Sequence, residues 1–416
     1  MNTRPLSICI LSYRSNPFCG GQGVYVKYLS KALRDLGHRV EVISGEPYPD
    51  LDRDIGFVPL PGMNFYGYNR VIDAIKERKI KGFIDLYELI SYNTGGFPEP
   101  LTFGLRAASF LGRKREKKYD IIHDNQSLSY GLLKLTSKYP VVSTIHHPIT
   151  RDLRLALTHE KDFFLRLLIK RWHSFLKMQK RVAPRLPFII TVSKASKKDI
   201  IEDFKVQPDK VHVVYNGVDI EKFRPLTELE PVKDSIIATA SADVPLKGLN
   251  YLIEAISLVR ERFPNISLRV VGKPKKQGDT EKLIQKLRLQ DRVSFVSGIT
   301  DEELVREYAR ATIAVVPSLY EGFGLPAAEA MACGKPVIST TGGALSEVVG
   351  NAGLLVPPGD PRQLANGICY LLSNSGLQKE LGTKARTRMV EMFNWEAAAE
   401  NTVEVYKKAI EHYAHS

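Results

Sequence analysis

Apolar and polar positions along the chain repeat one order. The short apolar run Ser7–Ser12 is followed by Gly-rich Cys19–Gly23, then by Val24–Leu36 with apolar residues at helical spacing. Gly37 stops that stretch, and Val40–Ser44 is the next apolar run. Short apolar runs read as buried strands, and a 3.6-residue spacing reads as an amphipathic helix. Strand, glycine loop, helix and strand in succession predict a parallel sheet. The order restarts in the second half with strand Ile236–Ser241, loop Leu246–Asn250, helix Tyr251–Arg262 and strand Ser267–Gly272. Val293–Ser297, Ile313–Pro317 and Pro336–Thr340 continue it. The expected fold is α/β, with two Rossmann-like domains facing across a cleft. The expected domains are residues 1–224 and 225–393, joined by Lys222–Asp234 with its Pro225 and Pro231. Open parallel sheets bind ligands beyond the carboxyl ends of their strands, so chemistry is expected there.

Composition changes this picture little. The chain has 416 residues, enough for two or three domains of roughly 100–200 residues. With 44% hydrophobic and 25% charged residues it is ordinary globular material. No run of about 18 apolar residues predicts a membrane span. Met1–Ile10 reads as a first strand, not a signal peptide. Cys9, Cys19, Cys333 and Cys369 lack metal-ligand spacing, and no metal is expected. Reduced thiols in a cytoplasmic protein are the simplest account.

Charge changes it more. The net charge is +13, yet residues 1–224 alone carry a balance of +14 and the rest −1. A basic half suggests an anionic partner, or a surface tuned for solubility. Nucleic acid is the weaker choice, because the basic residues do not interleave with a binding motif and the second half is neutral. A nicotinamide-dependent dehydrogenase is disfavoured by the lack of Gly-x-Gly-x-x-Gly with a distal acid. Within His159–Arg181, Phe163, Phe164, Leu167, Leu168, Phe175 and Leu176 alternate with Arg166, Lys170, Arg171, Lys177, Lys180 and Arg181, and Trp172 lies among them. A basic amphipathic helix of this kind can rest on an anionic membrane, here the inner face. The plain alternative is a packing helix with a solvated basic face.

The most informative segment is Ser318-Leu-Tyr-Glu-Gly-Phe-Gly-Leu-Pro-Ala-Ala-Glu-Ala-Met-Ala-Cys-Gly334. Gly322 and Gly324 let backbone approach a ligand, Pro326 suits a helix start and Gly334 its stop. The Ala-rich helix Pro326–Cys333 should be buried, yet it carries Glu329. A buried carboxylate needs partners, and a sugar's vicinal hydroxyls qualify, as does a buried arginine. Glu321 is a second acid just upstream. The amides of Phe323 and Gly324 and the helix N-terminus offer donors to a polar ligand. Lys247, in Ala242-Asp-Val-Pro-Leu-Lys-Gly248, can place a cation at a strand end.

In the first half, Gly20-Gly21-Gln22-Gly23 sits where a strand gives way to a helix, a weak signal alone. Val141-Val-Ser-Thr-Ile-His-His-Pro148 reads as a strand ending in two histidines, His146 and His147, and His123 follows Asp120–Ile122. His146 and His123 both stand at expected strand ends. An isolated histidine is more often structural.

The chain resembles the retaining glycosyltransferases of family 4, which have the GT-B fold. The resemblance is carried by Pro245-Leu-Lys-Gly248, Val293–Gly298, Pro317–Glu329, Gly334-Lys-Pro-Val-Ile338, Gly342-Gly343 with Glu347, and Val356-Pro-Pro-Gly-Asp360. In the first half, Gly20-Gly-Gln-Gly23, Thr191-Val-Ser-Lys194 and Asn216-Gly-Val-Asp219 match more loosely. The family moves a sugar from a nucleotide-diphosphate sugar to a hydroxyl acceptor, here a glycan, lipid or small molecule. The resemblance implies that Glu329 holds the ribose, Glu321 the donor sugar and Lys247 the diphosphate. It gives Gly322, Phe323, Gly324 and Leu325 the sugar and phosphate, and Gly298 the base. Gly21 and Gly23 would border the donor phosphates, Gln22 and His123 the acceptor, and His146 the donor sugar. It also implies a same-face attack in which the leaving phosphate helps deprotonate the acceptor, with no cofactor and no metal. The helix 394–416 would cross back onto the first domain. One departure stands out. The family's arginine five residues before the lysine is Ala242 here, and Lys273 is the expected substitute. A catalytically silent sugar-binding subunit is the alternative that Ala242 raises.

Overall fold

The computed structural model describes residues 4–16, 21–113, 118–240 and 243–415. They form two units, Met1–Tyr215 with Ala398–Ser416, and Asn216–Ala397.

The first unit is built on seven parallel strands. These are β1 (Ser7–Ser12), β2 (Arg39–Ser44), β3 (Gly56–Pro59), β4 (Ile121–Asn125), β5 (Val141–Ile145), β6 (Phe188–Thr191) and β7 (Val211–Val213). Their order is β3-β2-β1-β4-β5-β6-β7. β1 and β4 pair in parallel with Ser12 opposite Asn125. The order reverses between them, which opens a crevice at their carboxyl ends. Cys9, Leu11, Ile43, Ile122, Leu132 and Ile189 are fully buried in the core. Each such aliphatic side chain contributes roughly 1.5–3 kcal/mol by leaving water.

The second unit has six parallel strands, β8 (Ser235–Thr239), β9 (Ser267–Val271), β10 (Val293–Val296), β11 (Ile313–Val316), β12 (Val337–Thr340) and β13 (Leu354–Val356), in the order β10-β9-β8-β11-β12-β13. Here the order reverses between β8 and β11. The helix Asp301–Arg310 opens on a capping box formed by Thr300 and Glu303.

Three elements differ from the sequence expectation. The first crossing between units falls after Tyr215, ahead of the expected linker. Residues 216–223 belong to the second unit because Arg386 donates to the carbonyls of Ile220 and Phe223, both at 2.9 Å, and Val218 N donates to Phe393 O. Gly217 permits this pass, since a Cβ there would lie 2.3 Å from Trp395 N. The second crossing lies inside the helix Trp395–Ala414, at Ala397–Ala398.

The third is the basic stretch 159–181. It is not one helix but Phe163–Trp172, a tight turn His173–Phe175, and Leu176–Val182. The first piece buries no residue, and Phe163 and Phe164 are 72% and 73% exposed. The last piece is different, because Phe175, Leu176, Met178 and Val182 join the core. An exposed amphipathic face is therefore confined to 163–172. No described helix is long and apolar enough to cross a membrane.

Candidate active site

The acidic segment follows β11, and the lysine turn follows β8, the two strands at the reversal of the second sheet. The turn Pro245–Lys247 is clasped to the segment by Leu319 N donating to Leu246 O at 2.8 Å. Gly248 makes the clasp possible, with φ 64° and a Cβ position only 2.1 Å from Pro317 O. Lys247 Nζ therefore reaches Glu321 Oε1 at 2.8 Å. Ser318 Oγ donates to the same oxygen at 2.7 Å. Glu321 is thus fixed from two sides, and Ser318 is a partner that sequence reasoning missed. Its only advance signal is its place directly after Pro317 at a strand end.

A second turn holds the backbone of Glu321. Ala344 N donates to Glu321 O at 2.9 Å, and Glu321 and Gly343 form a parallel bridge. A Cβ on Gly343 would stand 2.3 Å from that carbonyl, so Gly342–Gly343 is more than a turn. Gly324, at φ 100°, caps the helix Leu325–Ala332, and its missing Cβ makes room for Leu345. The helix starts at Leu325, one residue before the expected Pro326. The ring of Phe323 is buried against Phe393, leaving its backbone for any ligand contact. Gly322 lies between, half-buried.

Glu329 sits on that helix among buried Ala327, Ala328, Ala330 and Met331. Burial, reinforced by the charge of Asp301, pushes its carboxyl up to about 8, while a hydrogen bond from Tyr308 opposes the rise. Among the described residues no arginine pairs with it; Tyr308 is its partner. Tyr308 also contacts Thr239 Oγ1 at 2.9 Å. Nothing in the sequence pattern singled out Tyr308, which lies on the buried face of its helix.

Gly298 stands exposed after β10 at φ 71° with open space around it. Lys273 is exposed just past β9. Ala242 lies outside the described residues. Among the described residues, no three His, Cys, Asp or Glu side chains gather as metal ligands.

In the first unit, His146 follows β5. Its Nε2 lies 2.8 Å from Asn125 Oδ1, and its backbone N donates to Gln126 Oε1 at 2.8 Å. Tyr25 meets the ring edge-on at 4.7 Å. An amide oxygen only accepts, so Nε2 carries the proton and Nδ1 is left as the acceptor. Burial, with the neighbouring charges of His147 and His123, pushes its pKa down to about 3. His146 is therefore neutral, suited to accept from a hydroxyl and not to act as an acid.

His123 is a correction. It is wholly buried, with Nδ1 2.5 Å from Tyr406 Oη and Nε2 2.6 Å from Thr144 Oγ1. Both ring nitrogens are committed, so it lines no acceptor pocket; it fastens the C-terminal helix to the sheet. Gly23 is also corrected in its reason. A Cβ there would lie 2.0 Å from Asn16 O, so the glycine admits the chain's own backbone, not a ligand. Gly21 and Gln22 already belong to the helix Gly21–Asp35, and Gln22 O accepts from Asn125. Cys19 and Gly20 lie outside the described residues.

The model described as Glycosyl transferases group 1 matches residues 222–388. The model described as Glycosyltransferase Family 4 matches residues 19–222. An MMP alpha-(1->4)-mannosyltransferase of Mycolicibacterium hassiacum is 46% identical over 411 residues, 97% of this chain and 98% of that protein. This chain belongs to glycosyltransferase family 4. The protein is a glycosyltransferase with the GT-B fold, built from two Rossmann-like units. Sucrose-phosphate synthase from Thermosynechococcus elongatus superposes with a TM-score of 0.74 at 24% identity, covering 99% of this chain and 100% of that one. HepE of Anabaena, solved with UDP and glucose, gives 0.71 at 19%, covering 97% and 100%. Both show the fold of this glycosyltransferase.

Proposed function

We propose that this glycosyltransferase moves mannose, with retention, from a nucleoside diphosphate mannose to a hydroxyl of a sugar acceptor. The observation that carries it is the Lys247–Glu321 contact at the strand-order reversal of the second unit, read beside the whole-length similarity to a mannosyltransferase. In this reading Lys247 meets the diphosphate, and Glu321 and the backbone of Gly322–Leu325 meet the sugar. Glu329 takes the ribose hydroxyls and Gly298 lies by the base. Gly21 belongs to the phosphate side, Gln22 to the acceptor and His146 to a sugar hydroxyl. Fixed charges and amides stabilise a leaving group that gains negative charge. Lys273 shares that work where Ala242 stands, and the reaction needs no metal.

The enzyme is assigned to the cytoplasm, where it touches anionic membrane from the exposed face of 163–172. Supporting that part, Phe163, Phe164, Leu167 and Leu168 are all more than half exposed, beside Lys170. Phe83, Leu86, Tyr87 and Ile90 form a second exposed stripe on the helix Phe83–Asn93. The two helices are linked by Arg171 donating to Ser91 and Thr94. An amphipathic face of this kind inserts its apolar residues below the headgroups.

The test is a thermal-shift screen against UDP-, GDP- and ADP-linked mannose and glucose, followed by transfer to methyl α-mannoside. A ligand that binds only the folded chain raises its melting temperature by mass action. Stabilisation and transfer with a mannose donor are expected. Transfer from a glucose donor alone would overturn the choice of sugar.

A further inference from the structure

Beside the carboxyl ends of β1 and β2, wholly within the first unit, lies a recess that the donor assignments do not use. Tyr13 and Glu46 follow those strands; Asn64, Glu88 and, from the helix Glu99–Gly112, Glu99 and Arg106 also line it. The recess encloses about 20 Å³, room for one water-sized group. Two glycines keep it open to close packing. A Cβ on Gly45 would stand 2.5 Å from Tyr13 O, and one on Gly62 would stand 3.0 Å from Glu88 Oε1.

The recess holds buried acceptors with nothing to accept. Glu46 Oε1 receives Arg78 at 2.7 Å, but its Oε2 is buried without a hydrogen-bond partner. Glu99 Oε2 is buried in the same way; Arg14 Nη1 comes no nearer than 3.4 Å and makes an ion pair without a hydrogen bond. Buried polar atoms are nearly always satisfied, so these two oxygens point to an absent donor. That donor is not a cation of the lining. Arg106 is already held by Glu88 at 2.7 Å and Asp85 at 2.6 Å.

Polarity narrows the occupant further. Burial pushes the Glu99 carboxyl up to about 8; Arg14 opposes the rise, and Glu88 and Glu46 add to it. Near neutrality Glu99 thus carries a proton and both donates and accepts. A hydroxyl does the same, so it can receive from Glu99 and give to Glu46 Oε2. A phosphate offers only acceptors and charge to a wall whose arginine is committed.

We propose that this recess is a subsite for one neutral hydroxyl of the acceptor sugar, bound between Glu99 and Glu46, and that it selects an uncharged acceptor over a phosphorylated one. The proposal rests on the reading of the protein as a transferase to a sugar acceptor. An ordered water is the competing occupant.

The experiment titrates methyl α-mannoside into the full-length protein by NMR and measures acceptor and donor KM in parallel. Glu46→Gln and Glu99→Leu should raise the acceptor Kd and KM roughly tenfold or more, the cost of losing a hydrogen bond to a buried acid. Donor KM should stay within about twofold, since uniform loss of fold would move both. Wild-type binding should weaken between about pH 6.5 and about pH 9.5, and Glu99→Gln, which cannot ionise, should abolish that weakening. Mannose 6-phosphate should bind more weakly than methyl α-mannoside. The opposite order overturns the selectivity. Unchanged acceptor constants in Glu46→Gln, with no pH response removed by Glu99→Gln, overturn the subsite and leave the recess to water. If the wild type transfers no sugar but its mannoside binding responds to these variants, the subsite stands and the transferase reading falls. If it transfers sugar with acceptor constants untouched, the reverse holds. No transfer and no binding overturns both.

Discussion

Lys247 Nζ lies 2.8 Å from Glu321 Oε1, although 74 positions separate the two residues in the chain. The pair is partly exposed, at 29% and 13% for the two side chains. A pair of this exposure is worth about 0–1 kcal/mol to stability. Its value is positional: each charge fixes the other at the carboxyl end of the second sheet. Lys247→Ala is expected to lower kcat/KM by roughly 10²–10³, the usual cost of losing one electrostatic stabiliser. The unfolding temperature should move by only about 2–4 °C. Steady-state kinetics beside calorimetry check this, and near-normal turnover would remove Lys247 from the reaction.

Lys273 is exposed past β9, a position from which a long side chain can swing toward an anion. Lys273→Ala should cost at least several-fold in turnover, since the family's usual arginine is replaced by Ala242. A loss under about twofold, with Lys247→Ala inactive, assigns Lys273 to the solvated surface.

At Glu329, stability and the proposed ribose role pull in opposite directions. Its carboxyl is raised to about 8 by burial, so its ionised form is costly in the fold. Glu329→Gln should stabilise the protein near pH 8 by about 1–3 kcal/mol. The same change should weaken nucleotide binding, because a carboxylate is the stronger acceptor for two hydroxyls. Denaturant unfolding and nucleotide titration test the two halves. Unchanged nucleotide affinity would detach Glu329 from the ribose.

His123 and Tyr406 predict the reverse pattern. Tyr406→Phe removes a buried hydrogen bond and should cost about 1–3 kcal/mol by leaving His123 Nδ1 unsatisfied. Acceptor KM should not change. A selective rise in acceptor KM, with stability intact, would restore His123 to the acceptor side.

Stability should depend on pH in two limbs. His123 and His146 have folded values of about 3 against an ordinary 6.5, so the unfolded chain binds more protons in that window. Their contribution is lost as pH falls below about 6.5. Glu99 and Glu329 have folded values of about 8 against 4.5, so the folded chain binds more protons there. Their contribution is lost as pH rises from about 4.5 to about 8, at up to ~1.4 kcal/mol per unit for each group. Unfolding free energy should therefore peak at about pH 4.5–6.5, where the two slopes oppose. A steady rise to pH 8, or an alkaline limb unchanged in the Glu99→Gln, Glu329→Gln double variant, would contradict the assignment.

The membrane reading is checked by co-sedimentation with vesicles containing anionic lipid. Phe163→Ser with Phe164→Ser should abolish binding while leaving stability within about 0.5 kcal/mol, because neither ring packs in the core. Wild-type protein that stays in the supernatant would end this reading.

Much of the second unit was legible in the chain because its signals are local. Strand runs, glycine turns and the Pro317–Glu329 segment lie within a few residues of one another, and backbone sterics make them readable. The first unit was less so. The sequence placed His123 and His146 alike at expected strand ends, yet His123 lies inside β4 as a core clamp, while His146 follows β5. The difference is set by Tyr406 and Asn125, one of them 283 positions away. The stretch 159–181 misled for a similar reason, since alternation of apolar and basic residues continues unchanged through Phe175 and Leu176, where the chain turns inward.

The sequence by itself determined the fold class, the family and the presence of a lysine and an acid after strand ends, with a second acid on the helix that follows. Periodicity and turn chemistry act over short spans and survive without a partner surface. Only the tertiary structure decided what each polar group touches. It joined Lys247 and Ser318 to Glu321, gave Glu329 its tyrosine, took both nitrogens of His123 and left oxygens of Glu46 and Glu99 open in one recess. Those outcomes depend on which distant segments share a sheet end, and on burial that makes every unpaired atom there expensive.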